Sequence, residues 1–376
     1  MKNKKLFFWE AVATLIGTIV GAGILGLPYA VAQVGFVWGG FLIIILGFVA
    51  MTLNLLFAEI ILRTRSRHQL SGYVGQYLGK YAYLIMAIAN ILGSYVAMST
   101  YIIGEGKVLQ ALLGGSEKFY SLLYFAVVAF ILFIGLKLIK VFELFLVFAF
   151  LIVIAVVIGL SSPHLILENL PYFEPSQMIL PFGVILFAFS GVSSVVHVRE
   201  ILRGREEKIK PAIITASVIP ILLYFFFTLV VVGLLGRGTT EVATIGLGEK
   251  LGSFMILFGN LFAFFVMGTS FLAVGLSVKE LFRLDFKISA NWAWLLTVGV
   301  PLLIFLSGVK NFVWLMGLSG GLSVTLTGIM VVLSYFKAKK EFTREPEFVL
   351  PKLKIWGWFI ITIFSLGILY TLVNLF

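Results

Sequence analysis

The residues of this chain best placed to do chemistry are poor helix formers set inside an apolar run: Gly17-Thr18-Ile19-Val20-Gly21-Ala22-Gly23-Ile24-Leu25-Gly26-Leu27-Pro28. In a helix interior glycine costs about 1 kcal/mol and proline about 3 kcal/mol relative to alanine. Gly21, Gly23, Gly26 and Pro28 crowd into two turns, so the run predicts a helix broken at its middle. At membrane depth, broken backbone is tolerated only where protein or a water-filled cavity satisfies it. The freed N–H groups of Gly21, Ala22 and Gly23, helped by the positive end of the following half-helix, then suit an anion. Gly21, Gly23 and Gly26 also spell the dinucleotide pattern G-x-G-x-x-G. That reading fails, because no strand precedes them and Phe41-Leu42-Ile43-Ile44-Ile45 offers no acid to a ribose. Glycines used only for helix packing favour a spacing of four and do not call for Pro28.

Enzymatic chemistry has little to work with. No phosphate-cradling G-x-x-x-x-G-K-[ST] run exists, no two carboxylates share a helix face, and His68, His164 and His197 fall on different spans or connections. The absence of cysteine removes disulfides, thiolate catalysis and cysteine metal sites. The chain is therefore expected to be no enzyme and to hold no organic cofactor. Ionisable residues inside apolar spans are functional candidates by default. Glu59, one turn from Arg63, and His197, on the inner half of the sixth span, are the proton-relay candidates. Glu105 lies about two turns below the outer end of the third span, with Lys107 on another face. Glu280 and Asp285 would close an inner gate with Lys4 or Lys5.

The elements that must position these residues follow from hydropathy. Of 376 residues 61% are hydrophobic and 12% charged, and the mean hydropathy is +1.10, far too apolar for a soluble domain. Runs long enough to cross a bilayer occupy 7–34, 37–62, 81–113, 121–138, 142–160, 179–200, 211–235, 253–283, 292–308, 312–336 and 355–374. That is eleven spans, the first retained rather than cleaved as a signal. The net charge of +11 then marks loops on one membrane side rather than a nucleic-acid partner: with the amino end inside, 23 of the 28 lysines and arginines are cytoplasmic. This predicts a multi-pass cell-membrane protein with a cytoplasmic amino end and an external carboxyl end, its partners the lipid bilayer and a small molecule.

Spans one to five and six to ten start at a near-constant offset of 170–174 residues. Five is odd, so the second copy enters from the opposite side and the repeat is inverted. The halves are expected at 1–162 and 163–340, with the eleventh helix in 341–376. Alternating access is the function that most naturally uses such a repeat. The offset also places a second break opposite the first, at Phe187-Ala188-Phe189-Ser190-Gly191-Val192-Ser193-Ser194, a small and polar interruption. Carbonyls freed there would accept hydrogen bonds from an ammonium. One break offering N–H groups and another offering carbonyls suit a zwitterion, hence an amino acid.

These motifs carry a resemblance. The run G-x-x-x-G-A-G-I-x-x-x-P and F-A-F-S-G resemble the amino acid–polyamine–organocation superfamily, with its LeuT fold, and within it the amino acid/auxin and hydroxy/aromatic amino acid permeases. Phe57-Ala58-Glu59-Ile60-Ile61-Leu62, Thr100-Tyr101-Ile102 and Thr269-Ser270-Phe271-Leu272 extend the match over the whole chain. The resemblance implies an all-α transmembrane fold of eleven helices, a 5+5 inverted repeat plus one, with the first and sixth spans discontinuous. It implies symport of a neutral amino acid, aromatic or branched, driven by Na+ or H+. The substrate carboxylate would meet amides of Gly21, Ala22 and Gly23. The amine would meet carbonyls of Ile19, Phe187 and Ser190, beside Gly191, with the Phe187 ring as a lid and Tyr101 in the pocket. Gly17, Val20, Val266, Thr269 and Ser270 match the oxygens of a sodium site, and the apolar Ile24 argues against a second one. An amino acid sensor on the same scaffold is the rival reading; it would carry long soluble extensions, which are missing here.

Overall fold

The computed structural model describes residues 4–134, 139–351 and 353–373, and among these every regular element is a helix. The first predicted span is a bent pair, α1 (Lys4–Ile19) and α2 (Gly23–Val34), meeting at 51°. Gly35, at φ +101°, turns the chain into α3 (Phe36–Leu62). A short α4 (Leu70–Leu78) precedes the long α5 (Lys80–Leu113), followed by α6 (Glu117–Ile134) and α7 (Ile139–Ser161).

The second half begins with α8 (Leu180–Ala188) and α9 (Val195–Ile201), then α10 (Ile209–Leu235), a short α11 (Ala243–Leu251) and the long α12 (Ser253–Leu284). After α13 (Ala290–Leu306), a helix in two pieces, α14 (Phe312–Ser319) and α15 (Thr325–Ala338), is joined through a π stretch at Gly320–Val324. The last is α16 (Lys354–Val373). Among the described residues eight helices are long and apolar enough to cross a membrane, and the α1–α2 pair makes a ninth. Phe150–His164 and Ala290–Leu306 are apolar but shorter.

Large apolar side chains such as Phe41, Phe48, Leu92, Phe130, Leu303 and Leu366 are exposed on the outside of the bundle, a surface that suits lipid. The chain is a multi-pass membrane protein. Burial ranks the spans: the α8–α9 segment is 83% enclosed and α16 only 22%, so the second predicted break sits at the centre and the last helix at the rim. Small residues let α8 reach that centre. A Cβ on Gly183 would strike the Gly317 carbonyl, and one on Gly320 would strike Gly183 and the Phe187 amide at 2.8 Å. The π stretch, whose hydrogen bonds run from i to i+5, begins at this contact with Gly320.

Candidate functional site

The first break is visible in its hydrogen bonds. Continuing α1 would send the Gly21 amide to the Gly17 carbonyl and the Ile24 amide to that of Val20. Instead Gly21 N–H donates to Ile19 O at 2.9 Å and Ile24 N–H to Gly21 O at 3.4 Å. The carbonyls of Gly17 and Val20 are thereby released. The amides of Ala22 and Gly23, at the start of α2, carry no backbone bond among the described residues. Of the three amides expected to meet an anion, two are available and that of Gly21 is held in a local turn.

The second break separates α8 from α9 by Phe189, Ser190 and Gly191 and one tight turn over Val192–Ser194. Ser190 N–H donates to Phe187 O at 3.1 Å, and Ser194 N–H to Gly191 O at 3.0 Å. The Ser190 carbonyl accepts no backbone N–H, and the amides of Gly191 and Ser193 donate to none, among the described residues.

Three contacts hold the breaks together. Tyr224, fully buried on α10, lies 2.7 Å from Ile19 O and 3.1 Å from Ala188 O, so its one hydroxyl bridges both. Thr18 Oγ1 and Ser194 Oγ are 2.7 Å apart. Gly23 lies against α8, where a Cβ would sit 2.5 Å from Ala188 Cα. The first contact changes the acceptor set. Ile19 O already receives Gly21 N–H and Tyr224, and Phe187 O receives Ser190 N–H, so of the five carbonyls expected to bind amine or ion at the breaks, Ile19, Phe187, Ser190, Gly17 and Val20, only the last three are uncommitted among the described residues.

Side chains from two further helices complete the cluster. Tyr101 of α5 is buried, its ring 6.5 Å from that of Phe187, and its hydroxyl faces Ser270 of α12. Gly21 approaches the same serine: a Cβ there would lie 3.0 Å from Ser270 Oγ. Gly191 packs on Ile19, 2.7 Å from where its Cβ would be to Ile19 Cγ1. Thus Gly21, Tyr101, Phe187 and Ser270 converge from four elements. Thr269 donates its hydroxyl hydrogen to Phe265 O at 2.9 Å and Val266 O at 3.1 Å, the usual back-bond of a membrane threonine. Its oxygen accepts no hydrogen bond among the described residues, and the Gly17 and Val20 carbonyls are likewise released. Ile24 is apolar and fully buried.

The ionisable candidates part ways. Glu59 is fully buried but satisfied, by Arg63 at 2.8–2.9 Å and by the Leu350 amide at 2.8 Å. It ties the segment before α16 to α3, a structural task. His197, in the first turn of α9 directly after the second break, is about half exposed and 3.5 Å from Glu200. Asp285 accepts a hydrogen bond from Tyr83 at 3.0 Å, while the side chains of Lys4 and Lys5, its expected gate partners, fall outside the described residues. Glu105 is fully buried, and neither of its oxygens has a partner among the described residues.

Sequence reasoning missed Tyr224, the Thr18–Ser194 contact and Glu241. Glu241 bonds Lys107 of α5 and the Phe312 amide that opens α14 (3.1 Å), tying α5 to α14 at one end of the bundle. A cavity of about 400 Å³ at the opposite end is lined by Arg65, Arg67, His68, Arg199, Arg203 and Arg344 among others, and does not reach the breaks.

Comparison with known proteins agrees with this architecture. The model of the tryptophan/tyrosine permease family matches residues 3–374. Tyrosine-specific transport system 1 of Haemophilus influenzae is 28% identical, over 94% of this chain and 93% of its own. The low affinity tryptophan permease of Escherichia coli O157:H7 is 23% identical, over 92% and 90%. The crystal structure of MhsT in complex with L-phenylalanine aligns with a TM-score of 0.68 at 13% identity, covering 100% of this chain and 99% of that one, which gives the chain the LeuT fold.

Proposed function

The chain belongs to the tryptophan/tyrosine permease family, and from that premise we propose that it is a secondary active transporter of an aromatic amino acid, working by alternating access and driven by Na+ or H+. One observation carries the reading. Two interrupted helices meet at a single enclosed point, one offering the amides of Ala22 and Gly23, the other the carbonyl of Ser190, with the rings of Tyr101 and Phe187 beside them. Free N–H groups at a helix start favour a carboxylate, free carbonyls favour an ammonium, and rings favour an apolar or aromatic side chain. Gly17, Val20, Val266, Thr269 and Ser270 supply the oxygens that would hold sodium. The ion's part would be to neutralise the break as it binds.

The eleven-span count is supported by the nine long spans, one of them bent, together with the two shorter apolar helices α7 and α13. The inverted repeat draws support from a pair of elements outside the hydropathy pattern. Helices α4 and α11 each end on a glycine at φ +92°, Gly79 and Gly252, from which the longest helix of its half departs at once. Their separation falls within the 170–174 residue offset of the spans.

The test is uptake of labelled L-tyrosine, L-tryptophan, L-phenylalanine and L-leucine into proteoliposomes under sodium or pH gradients. Gradient-driven accumulation of an aromatic amino acid is expected. Accumulation of none of the four would sink the proposal, and ligand-induced thermal stabilisation without flux would turn it into a sensor.

A further inference from the structure

Five arginines line one cavity, at the end of the bundle where the charge bias puts the cytoplasm. Arg65 and Arg67 come from the turn between α3 and α4, Arg199 from α9, Arg203 from just after it, and Arg344 from the segment before α16. A charge bias across a membrane needs basic residues only somewhere in the inner connections. It does not need guanidinium groups from three distant parts of the chain to share a space of about 400 Å³. Like charges held this way repel, so the fold maintains the arrangement against a cost.

The bonds that maintain it are specific. Arg199 donates to the Tyr73 hydroxyl at 3.1 Å and to the Thr64 carbonyl at 3.3 Å, and Tyr73 and Thr64 are both buried. The amides of Thr343 and Arg344 donate to Arg63 O at 3.0 and 3.1 Å, and the Arg65 amide donates to Thr343 Oγ1 at 3.0 Å. The Arg344 guanidinium donates to Leu62 O at 3.4 Å and pairs with Glu347. These bonds lace the end of α3 to the segment before α16 and hold Arg199 against α4.

Inside this frame the charge is unbalanced. Of the five guanidinium groups only that of Arg344 has a carboxylate within ion-pair reach among the described residues, and that partner, Glu347, does not line the cavity. Two acids do line it, Glu200 and Glu206, but neither pairs with any of the five; Glu200 faces His197 instead. The side chains of Arg65, Arg67 and Arg203 are exposed and make neither hydrogen bond nor ion pair among the described residues. Tyr73, its oxygen taken by Arg199, keeps its hydroxyl hydrogen to donate.

Such a lining suits a ligand that only accepts hydrogen bonds and that meets guanidinium forks from several sides. A phosphate spreads its charge over oxygens pointing in different directions, so one centre can engage several arginines at once. We propose that this cavity binds a phosphate group, supplied by the headgroup of an anionic lipid or by a soluble phosphate ester. Basic pockets between helices on the cytoplasmic side are suited to lipid phosphates. The anion relieves the repulsion among Arg65, Arg67 and Arg203 and stabilises the folded protein according to its occupancy.

The test follows the thermal midpoint of the full-length protein, purified in a neutral detergent and held at constant ionic strength. Phosphatidylglycerol, phosphatidylcholine, inorganic phosphate, glycerol phosphate and succinate are titrated separately. A rise with phosphatidylglycerol that phosphatidylcholine does not produce supports a lipid headgroup. A rise with glycerol phosphate or inorganic phosphate supports a soluble ester. In either case the Arg67→Gln/Arg203→Gln double variant, which loses charge-assisted bonds to the ligand, is expected to need about tenfold more of the same probe for the same shift. No rise with any phosphate probe overturns the proposal, as does a rise that succinate equals or that the double variant keeps in full. Neither arginine side chain is bonded in the fold, so without probe the variant should melt with wild type. Should it melt early, wild type treated with phenylglyoxal, which modifies accessible guanidinium groups, decides. The effective probe must shield Arg67 and Arg203, as mapped by peptide mass spectrometry, and unshielded arginines refute the site.

Discussion

At the scale of single residues, the site is governed by which backbone groups the breaks release and which side chains then claim them. Tyr224 claims two, Ile19 O and Ala188 O. Tyr224→Phe removes both bonds in a buried place, where an unsatisfied polar group costs about 1–3 kcal/mol. The expected result is a lower thermal midpoint for the purified protein and slower uptake, because the two breaks lose their common anchor; an unchanged midpoint would refute that role. Thr269 gives the complementary test. Its hydroxyl lone pairs are what a sodium ion would use, and Thr269→Val keeps the shape while deleting them. Sodium stimulation of uptake should vanish and any pH-driven component should persist. Uptake that keeps its full sodium dependence would remove Thr269 from the ion site. Neither Tyr224 nor the Thr18–Ser194 contact was legible in the sequence, since one tyrosine among 13 carries no mark of the carbonyls it will meet across the bundle. The glycines did carry a mark, because their poor helix propensity is local.

At the scale of elements, the glycine at the start of α2 does more than free an amide. Gly23 lets the two breaks touch, and the Cβ of an alanine would sit 2.5 Å from Ala188 Cα, closer than carbon atoms approach. Alanine gains about 1 kcal/mol in helix propensity, but the contact is with backbone that cannot swing aside, so the clash prevails. Gly23→Ala should therefore abolish uptake, whereas Gly159→Ala, with nothing within 4 Å, should leave it unchanged; proteoliposome uptake of both variants checks the contrast. Most helices were legible because membrane spans are selected by apolar length alone, which is why α3, α5, α10 and α12 match their predicted runs within two residues. The features that were not legible have causes elsewhere in the fold. The π stretch at Gly320–Val324 answers to Gly183 on α8, and α4 and α11, nine residues each, are too short for a hydropathy window to separate from loop.

At the scale of the whole molecule, the two ends of the bundle differ in a way that fixes what can be tested. The basic cavity of Arg65, Arg67, Arg199, Arg203 and Arg344 lies at the end where the charge bias puts the cytoplasm. The Lys107–Glu241–Phe312 contacts lie at the other end. The chain has no cysteine, so single cysteines can be read without background. Lys118→Cys and Lys250→Cys, both exposed, should react with a membrane-impermeant maleimide in intact cells. Arg203→Cys and Lys340→Cys, equally exposed, should react only after the membrane is opened. The proposed count of eleven spans would put the two termini on opposite sides, so alkaline phosphatase fused after Phe376 should be active and a cytoplasmic fluorescent reporter there should be dark. Labelling of Arg203→Cys from outside would invert the orientation. An inactive phosphatase would instead leave the orientation and remove one span, and with it the separate eleventh helix beside the inverted repeat.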